Sequence, residues 1–183
     1  MLSETLVAAL SGQVNAEYYS AYLYQSMSAY AEDASLRGAA NWLWVQVREE
    51  MAHAVHMYQY ILDRDAIPAF DAIQAPPASS SFPDLMSVFK AVLEHEQGVT
   101  ARLNNIATLS MKENDHATYQ FIMWYVNEQV EEESNAKDII DKLKLIGDNT
   151  GQLLTLDNEL AARAYINPFP ADGKLSAGAA AMA

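Results

Sequence analysis

Four long segments of the chain repeat apolar residues at helical spacing, and none of them contains proline beyond its first turn. They run over about 3–32, 36–63, 83–111 and 115–146. A shorter helical pattern over about 153–165 follows the turn residues Gly147 to Gly151. The pattern therefore predicts an all-α protein with four long helices and a short fifth one.

The lengths of the connections predict how these helices are arranged. Three or four residues join the first pair and the last pair, which makes each pair antiparallel neighbours. The middle connection, 64–82, has 19 residues and is rich in Pro and Ser. Extended, it reaches ~60 Å, whereas a 28-residue helix is ~42 Å long. We therefore expect a four-helix bundle with one long crossover, which makes the second and third helices parallel.

Composition excludes several classes of protein. Eleven Lys and Arg against 24 Asp and Glu leave a formal net charge of −13, which argues against nucleic-acid binding. The absence of Cys excludes disulfides, Cys-based zinc sites, iron–sulfur clusters and thiol nucleophiles. The N-terminus lacks the basic region of a signal peptide, and no segment has the ~20 apolar residues of a membrane span. We expect a soluble, cytoplasmic protein.

Polar residues interrupt the apolar stripes at a few core positions. Glu17 and Glu50 interrupt the first two helices, and His53 lies three residues after Glu50, on nearly the same helical face. Gln129 and Glu132 interrupt the fourth helix in the same way. Since an unpaired buried carboxylate is costly, this placement predicts a cation site in the core. The alternative is a solvated acidic helix face.

The third helix offers Glu94, which Ala91, Gly98 and Ala101 flank on its face. A competing apolar face of this helix carries Val92, Val99, Leu103 and Ile106. With Glu94 included, the predicted site holds four carboxylates and a formal charge of −4.

Two divalent cations would balance that charge. Carboxylates with one imidazole and no sulfur suit iron or manganese better than copper. In ferritin-like bundles, glutamates and Glu-x-x-His motifs on facing helices hold two metal ions in this way.

The chain resembles the non-haem bacterial ferritins over residues 1–165, which would form one ferritin-like di-iron domain followed by a flexible tail over 166–183. Four motifs carry the resemblance, and their order and spacing are more specific than any one alone: Asn15-Ala16-Glu17-Tyr18-Tyr19, Glu49-Glu50-Met51-Ala52-His53, Glu94-His95-Glu96-Gln97 and Asn127-Glu128-Gln129-Val130-Glu131-Glu132-Glu133. The fourth helix has Gln129-x-x-Glu132 where bacterioferritins and rubrerythrins have Glu-x-x-His, which separates the chain from both.

The resemblance implies roles for particular residues. Glu17, Glu50 and His53 correspond to ligands of a first iron, with Glu50 bridging. Glu94 and Glu132 correspond to ligands of a second iron, with Gln129 close by. A third iron site would comprise Glu49, Glu128 and Glu131 and share Glu132. Tyr24 corresponds to the tyrosine beside the site, a hydrogen-bond donor and electron source.

The resemblance also implies a function and an assembly. The family oxidises Fe(II) with dioxygen or hydrogen peroxide at this ferroxidase centre and stores Fe(III) as a mineral in a hollow shell of 24 subunits. The fifth helix would pack at the fourfold axes. No nucleic acid or membrane partner is expected, and an electron donor for iron release is possible.

Three alternatives stay open at this point. A di-iron peroxidase or oxygenase would act on a small molecule without storing iron. A purely structural bundle would bind no metal specifically. A haem could be held by Met51, although no haem is expected. The iron entry route is also open, because the positions near Tyr119 and Ile122 that would line a threefold pore are not acidic.

Overall fold

A computed structural model describes residues 1–169, and helices are the main elements of this part of the chain. The elements are α1 (Glu4–Asp33), α2 (Arg37–Asp63), a 3₁₀ turn (Ser79–Ser81), α3 (Leu85–Lys112), α4 (His116–Ile146) and α5 (Thr150–Leu160). Over the described range there is no β-strand. The predicted all-α bundle with a short fifth helix is confirmed. None of these helices is both long enough and apolar enough to cross a membrane.

Capping side chains determine where most helices begin. Ser3, Asp84, Asp115 and Asn149 each accept a hydrogen bond from a backbone N–H three residues on, which satisfies a free donor at the helix start. At α3 the cap is reciprocal, because the Ser87 hydroxyl also accepts a hydrogen bond from the Asp84 N–H. The helix therefore begins at Leu85, two residues later than the pattern predicted.

Tight turns join the two helix pairs. Ser35 has φ 60° between α1 and α2, and Asn114 has φ 57° between α3 and α4. Each is a single left-handed residue, which lets the chain reverse within a few residues. As a result α1 packs along α2 and α3 packs along α4, and α1 also contacts α3.

The interior consists of two apolar clusters at different heights in the bundle. The first includes Tyr24, Leu43, Phe89 and Ile140. The second includes Val14, Met57, Leu103 and Ile122. On all four long helices a short stretch lies between the two clusters, and most of its buried side chains are polar: Glu17, Ser20, Gln46, Glu50, His53, Glu96, Gln129 and Glu132. The candidate site occupies this polar layer.

Helix α5 begins at Thr150 and ends at Leu160, whereas the pattern predicted 153–165. The helix begins earlier because the Asn149 side chain accepts a hydrogen bond from the backbone N–H of Gln152 and so caps the helix start. The Asn41 side chain accounts for the earlier end, because its amide donates to the backbone carbonyls of Ala161 (3.3 Å) and Arg163 (2.9 Å). These bonds hold the chain beyond Leu160 in a non-helical path along α2.

Helix α5 also caps α2. Leu36, the N-cap residue of α2, has no side chain that can accept a hydrogen bond. The carboxylate of Asp157 accepts instead from the N–H groups of Gly38 (3.0 Å) and Ala39 (2.8 Å). Gly38 is required for this close approach, because an added Cβ would lie 1.6 Å from the backbone oxygen of Asp157.

Residues 161–169, which we name the C-terminal strap, continue from α5 along α2. Arg163 and Tyr165 are partly buried, whereas Ala162, Ala164 and Ile166 are exposed. This alternation is typical of an extended segment with one face on its support. A flexible tail over 166–183 was predicted, but Pro168 and Phe169 are buried. The remainder of that predicted tail, 170–183, lies outside the described residues.

Candidate metal centre

Three of the predicted site residues meet in the polar layer. One ligand atom from each of Glu17, Glu50 and His53 lies within 4.8 Å of the other two, and all three residues are buried. The Nδ1 atom of His53 is 3.5 Å from a carboxylate oxygen of Glu50. The three-residue spacing of Glu50 and His53 on α2 produces this pair, and the α1–α2 packing adds Glu17 from the neighbouring helix.

Burial makes these groups resist ionisation. It raises the pKa of Glu17 from 4.5 to about 7, against the opposing effect of hydrogen bonds to Glu50 and Gln13. It also raises the pKa of Glu50 well above 4.5, and the nearby carboxylates Glu17, Glu96 and Glu132 raise it further. For His53, burial and the neighbouring His56 lower the pKa to about 3, so the imidazole is neutral at pH 7.

Helix α3 directs Glu96, and not Glu94, into the core. Glu94 is exposed, whereas Glu96 is 1% exposed. The prediction that Glu94 faces the interior is therefore wrong. Glu96 follows Val92 by four residues and precedes Val99 by three, so it shares the buried face of α3 with both. Val92 and Val99 mark this face in the sequence, and continuing it through the motif Glu94-His95-Glu96-Gln97 selects Glu96.

Two side chains from other helices hold the Glu96 carboxylate. The Tyr24 hydroxyl donates to one of its oxygens from α1. The Gln129 amide donates to the other from α4, over 2.8 Å. Burial raises the pKa of Glu96, and both hydrogen bonds oppose that rise. The predicted position of Tyr24 beside the site agrees with this contact.

Glu132 on α4 is the fourth buried carboxylate of the layer. Its Oε2 accepts a hydrogen bond of 2.9 Å from the amide of Gln46 on α2. Burial raises its pKa well above 4.5, and the charges of Glu96 and Glu49 raise it further. Gln46 therefore orients Glu132 in the way that Gln129 orients Glu96. Sequence reasoning missed Gln46, although it lies four residues before Glu50 on the same helical face.

The donor set fits two divalent cations. Glu17, Glu50, Glu96 and Glu132 are formally −4 when ionised, and His53 adds a neutral nitrogen ligand. Among the described residues, the buried Oε2 of Glu17 has no hydrogen-bond partner, and neither has Nε2 of His53. Bound cations would satisfy the carboxylates and repay the cost of ionising them.

The residues predicted for a third site lie beside this layer. Glu49 is partly buried, and its pKa is raised to about 7 by burial and by the charges of Glu128 and Glu131, against the effect of Arg163. Burial also raises the pKa of Glu128. Glu131 is exposed. The side chain of Arg163 forms an ion pair of 2.6 Å with Glu49.

Comparison with known proteins gives one consistent result. The ferritin-like domain model matches residues 7–146. A bacterial non-heme ferritin of Staphylococcus haemolyticus is 42% identical over 165 residues, covering 90% of this chain and 98% of that protein.

Solved structures agree with this match. A closed form of the Archaeoglobus fulgidus ferritin, made by site-directed mutagenesis, superposes with a TM-score of 0.88 at 44% identity and covers 91% of this chain and all of that one. The open-pore ferritin of the same archaeon gives a TM-score of 0.87 at 44% identity, over 90% of this chain and all of that one. With the helical bundle and the buried carboxylate layer, these matches show that the chain belongs to the ferritin family.

Proposed function

We propose that this ferritin oxidises Fe(II) at the polar layer of its bundle and stores the Fe(III) that forms. The single observation that carries the proposal is the set of four buried carboxylates, one from each long helix, beside a neutral imidazole. This set would not stabilise a purely structural core, because each buried, ionised carboxylate without a cation destabilises the folded state.

The first iron would bind to Glu17, Glu50 and His53. The second would bind to Glu96 and Glu132, with Glu50 bridging the two and Gln129 close by. The concentrated negative charge stabilises Fe³⁺ more than Fe²⁺, which lowers the cost of removing an electron from each ion. Dioxygen or hydrogen peroxide accepts the electrons, and hydrolysis of the ferric product releases protons.

Other residues of the layer position these ligands. Gln13 donates to Glu17 over 2.9 Å, and Gln46 and Gln129 do the same for Glu132 and Glu96. These amides keep the carboxylates in place without adding charge. Tyr24 donates to Glu96, so its hydroxyl lies next to the second iron position and can supply an electron and a proton.

Storage requires an assembly, and the surface of the subunit supports one. Large apolar side chains are exposed on α2 at helical spacing, including Trp44, Met51, Val55 and Leu62. Such a stripe on a monomer is typical of a protein–protein interface. We propose that it is covered in a homo-oligomer, a hollow shell of 24 subunits. The net charge of −13 for each subunit would attract cations to that shell.

Iron loading followed by size separation tests the proposal. Purified protein receives several hundred Fe²⁺ per assembly in air, and iron and protein are tracked together on a sizing column. We expect iron to elute with a particle of several hundred kilodaltons, far above three ions per subunit. Saturation at two or three ions per subunit on a small oligomer would contradict storage and favour a di-iron oxidoreductase.

A pair of variants separates the metal centre from unspecific iron binding. Glu50→Ala removes the bridging ligand and should abolish the fast phase of Fe²⁺ oxidation. Glu32→Ala, an exposed residue near the end of α1, should leave that phase unchanged. Equal rates in both variants would exclude the proposed centre.

A further inference from the structure

The C-terminal strap runs directly past the carboxylates of the metal centre. It leaves α5 at Ala161, passes Asn41, and reaches Glu49 through Arg163. Tyr165 then stacks under the guanidinium of Arg48, which lies 4.0 Å from the ring centroid. The strap thus follows α2 from Asn41 to His56, which is about four helical turns.

Arg163 lies among the carboxylates that correspond to the third iron site. Its Nη2 donates to Glu49 over 2.6 Å. Burial raises the pKa of Glu128 and Glu132, and the positive charge of Arg163 opposes that rise, so both carboxylates, like Glu49, are within its electrostatic reach. The guanidinium carbon of Arg163 lies over the Trp42 ring, 4.4 Å from its centroid, and this contact helps to position the side chain.

Phe169 holds the other end of the strap against the first iron position. Its ring stacks on His56, with centroids 3.7 Å apart and planes at 14°. The Phe169 ring also packs edge-to-face with Trp124, with centroids 4.6 Å apart, and its centroid lies 6.0 Å from that of the His53 ring. Since Phe169 is 8% exposed, it covers this side of His53 with an apolar group that binds no metal.

We infer that Arg163 is a built-in cation at the predicted third metal site, and that a metal ion and the docked strap exclude each other there. The inference rests on the proposed function, because it assumes that metal ions enter the layer. The guanidinium carries one positive charge, which offsets the repulsion between these carboxylates. A divalent cation supplies two positive charges and would bind the Glu49 oxygen that Arg163 now holds, so it must displace Arg163.

The way Arg163 is held makes such displacement feasible. Within residues 1–169, its second guanidinium nitrogen, Nη1, is buried and has no hydrogen-bond acceptor. Arg163 therefore donates to Glu49 through Nη2 alone, whereas a bidentate pair would have two parallel N–H···O hydrogen bonds. The strap therefore closes the third site at low metal concentration, and a cation that competes for Glu49 opens it at high concentration.

Counting bound Zn²⁺, a cation that undergoes no redox reaction, tests this inference without measuring iron oxidation. The full-length, metal-free protein is dialysed against increasing Zn²⁺, and bound metal is measured per subunit. Wild type should bind two ions tightly and a third only weakly. Arg163→Gln, which removes the charge and keeps a polar side chain, should tighten the third site at least tenfold.

Two further variants control this result. Arg163→Lys retains the charge and should keep the third site weak. Arg37→Gln removes one exposed positive charge at the start of α2 and should behave like wild type. An equally weak third site in wild type and Arg163→Gln, or equal tightening by Arg37→Gln, would overturn the inference.

Crystals of the wild type soaked in Zn²⁺ supply a second readout. At low Zn²⁺ we expect density for Arg163 on Glu49 and no anomalous peak between Glu49, Glu128 and Glu131. At high Zn²⁺ we expect the peak and loss of the Arg163 density. An anomalous peak at the third site with Arg163 still on Glu49 would overturn the inference. If neither the wild type nor any variant bound metal at the first two positions, the proposed function would be overturned instead.

Discussion

The hydroxyl of Tyr24 on α1 donates a hydrogen bond to the carboxylate of Glu96 on α3, and both side chains are at most 1% exposed. This contact joins the two helices at the height of the metal centre. It also fixes which acidic residue of α3 belongs to that centre. Hydrogen bonds to charged groups stabilise by ~1.5–3 kcal/mol, so its loss should be measurable.

Replacing Tyr24 by Phe should weaken metal binding at the second position. Glu96 would keep its bond to Gln129 but lose its second donor, and its carboxylate would be less well placed. We expect about a tenfold weaker second site and a slower fast phase of Fe²⁺ oxidation, measured by stopped-flow absorbance. Tyr30→Phe, on the same helix and packed on Phe82, is the control. Identical oxidation in both variants would show that the Tyr24 hydroxyl plays no part.

Glu94 and Glu96 should respond in opposite ways to the same substitution. Glu96→Gln removes a buried ligand and should abolish tight binding of the second metal ion. Glu94→Gln changes only an exposed side chain and should leave metal binding within about twofold of wild type. Isothermal titration with Zn²⁺ measures both, and loss of the site in Glu94→Gln would contradict the placement of α3.

Gly38→Ala should detach α5 from α2. The added Cβ would collide with the Asp157 backbone, and the Asp157 carboxylate would lose its two N–H donors. We expect a loss of ~2–4 kcal/mol in stability, as for other buried contacts that are strained and then broken. Thermal unfolding measures the change.

Gly12→Ala is the matched control, because an added Cβ there meets nothing within 4 Å. Since alanine favours the helix interior, this variant should be as stable as wild type or up to ~1 kcal/mol more stable. Equal destabilisation of both variants would mean that the close contact at Gly38 does not matter.

The metal-free protein should lose stability as the pH rises from about 4.5 to 7. Glu17 has a pKa of about 7 in the folded protein and 4.5 as its ordinary value, so the folded state binds more protons in that range. Below pH 4.5 both states are protonated and the penalty is absent. Above pH 7 the penalty is complete and about 3 kcal/mol.

Glu17→Gln should remove this part of the pH dependence. The variant cannot ionise at position 17, so its unfolding temperature should fall less than that of wild type between pH 5 and pH 7.5. The same substitution should impair Fe²⁺ oxidation, which is the usual cost of stabilising an active site. Parallel pH profiles for the two proteins would refute the assignment of this penalty to Glu17.

The comparison between sequence and structure is most informative on α3. For Glu17, Glu50, His53 and Glu132, a single apolar stripe on each helix leaves one possible inward face, and all four side chains are buried. On α3 two faces compete in the sequence. The small residues around Glu94 formed an apparent stripe, whereas the larger side chains Val92 and Val99 bury more area and define the true inward face.

Local periodicity and connection lengths thus determined the helices, their pairing and the polar positions of α1, α2 and α4, because these depend on neighbours a few residues apart. Only the tertiary structure decided which of the two competing faces of α3 points inward and so brings Glu96 into the site, that Asp157 caps α2, and that the C-terminal strap brings Arg163 to Glu49. Each of these depends on contacts between residues far apart in the sequence. No local pattern encodes such contacts, because those of Glu96 exist only after α1 and α4 have packed on α3, and the other two only after α5 has docked on α2.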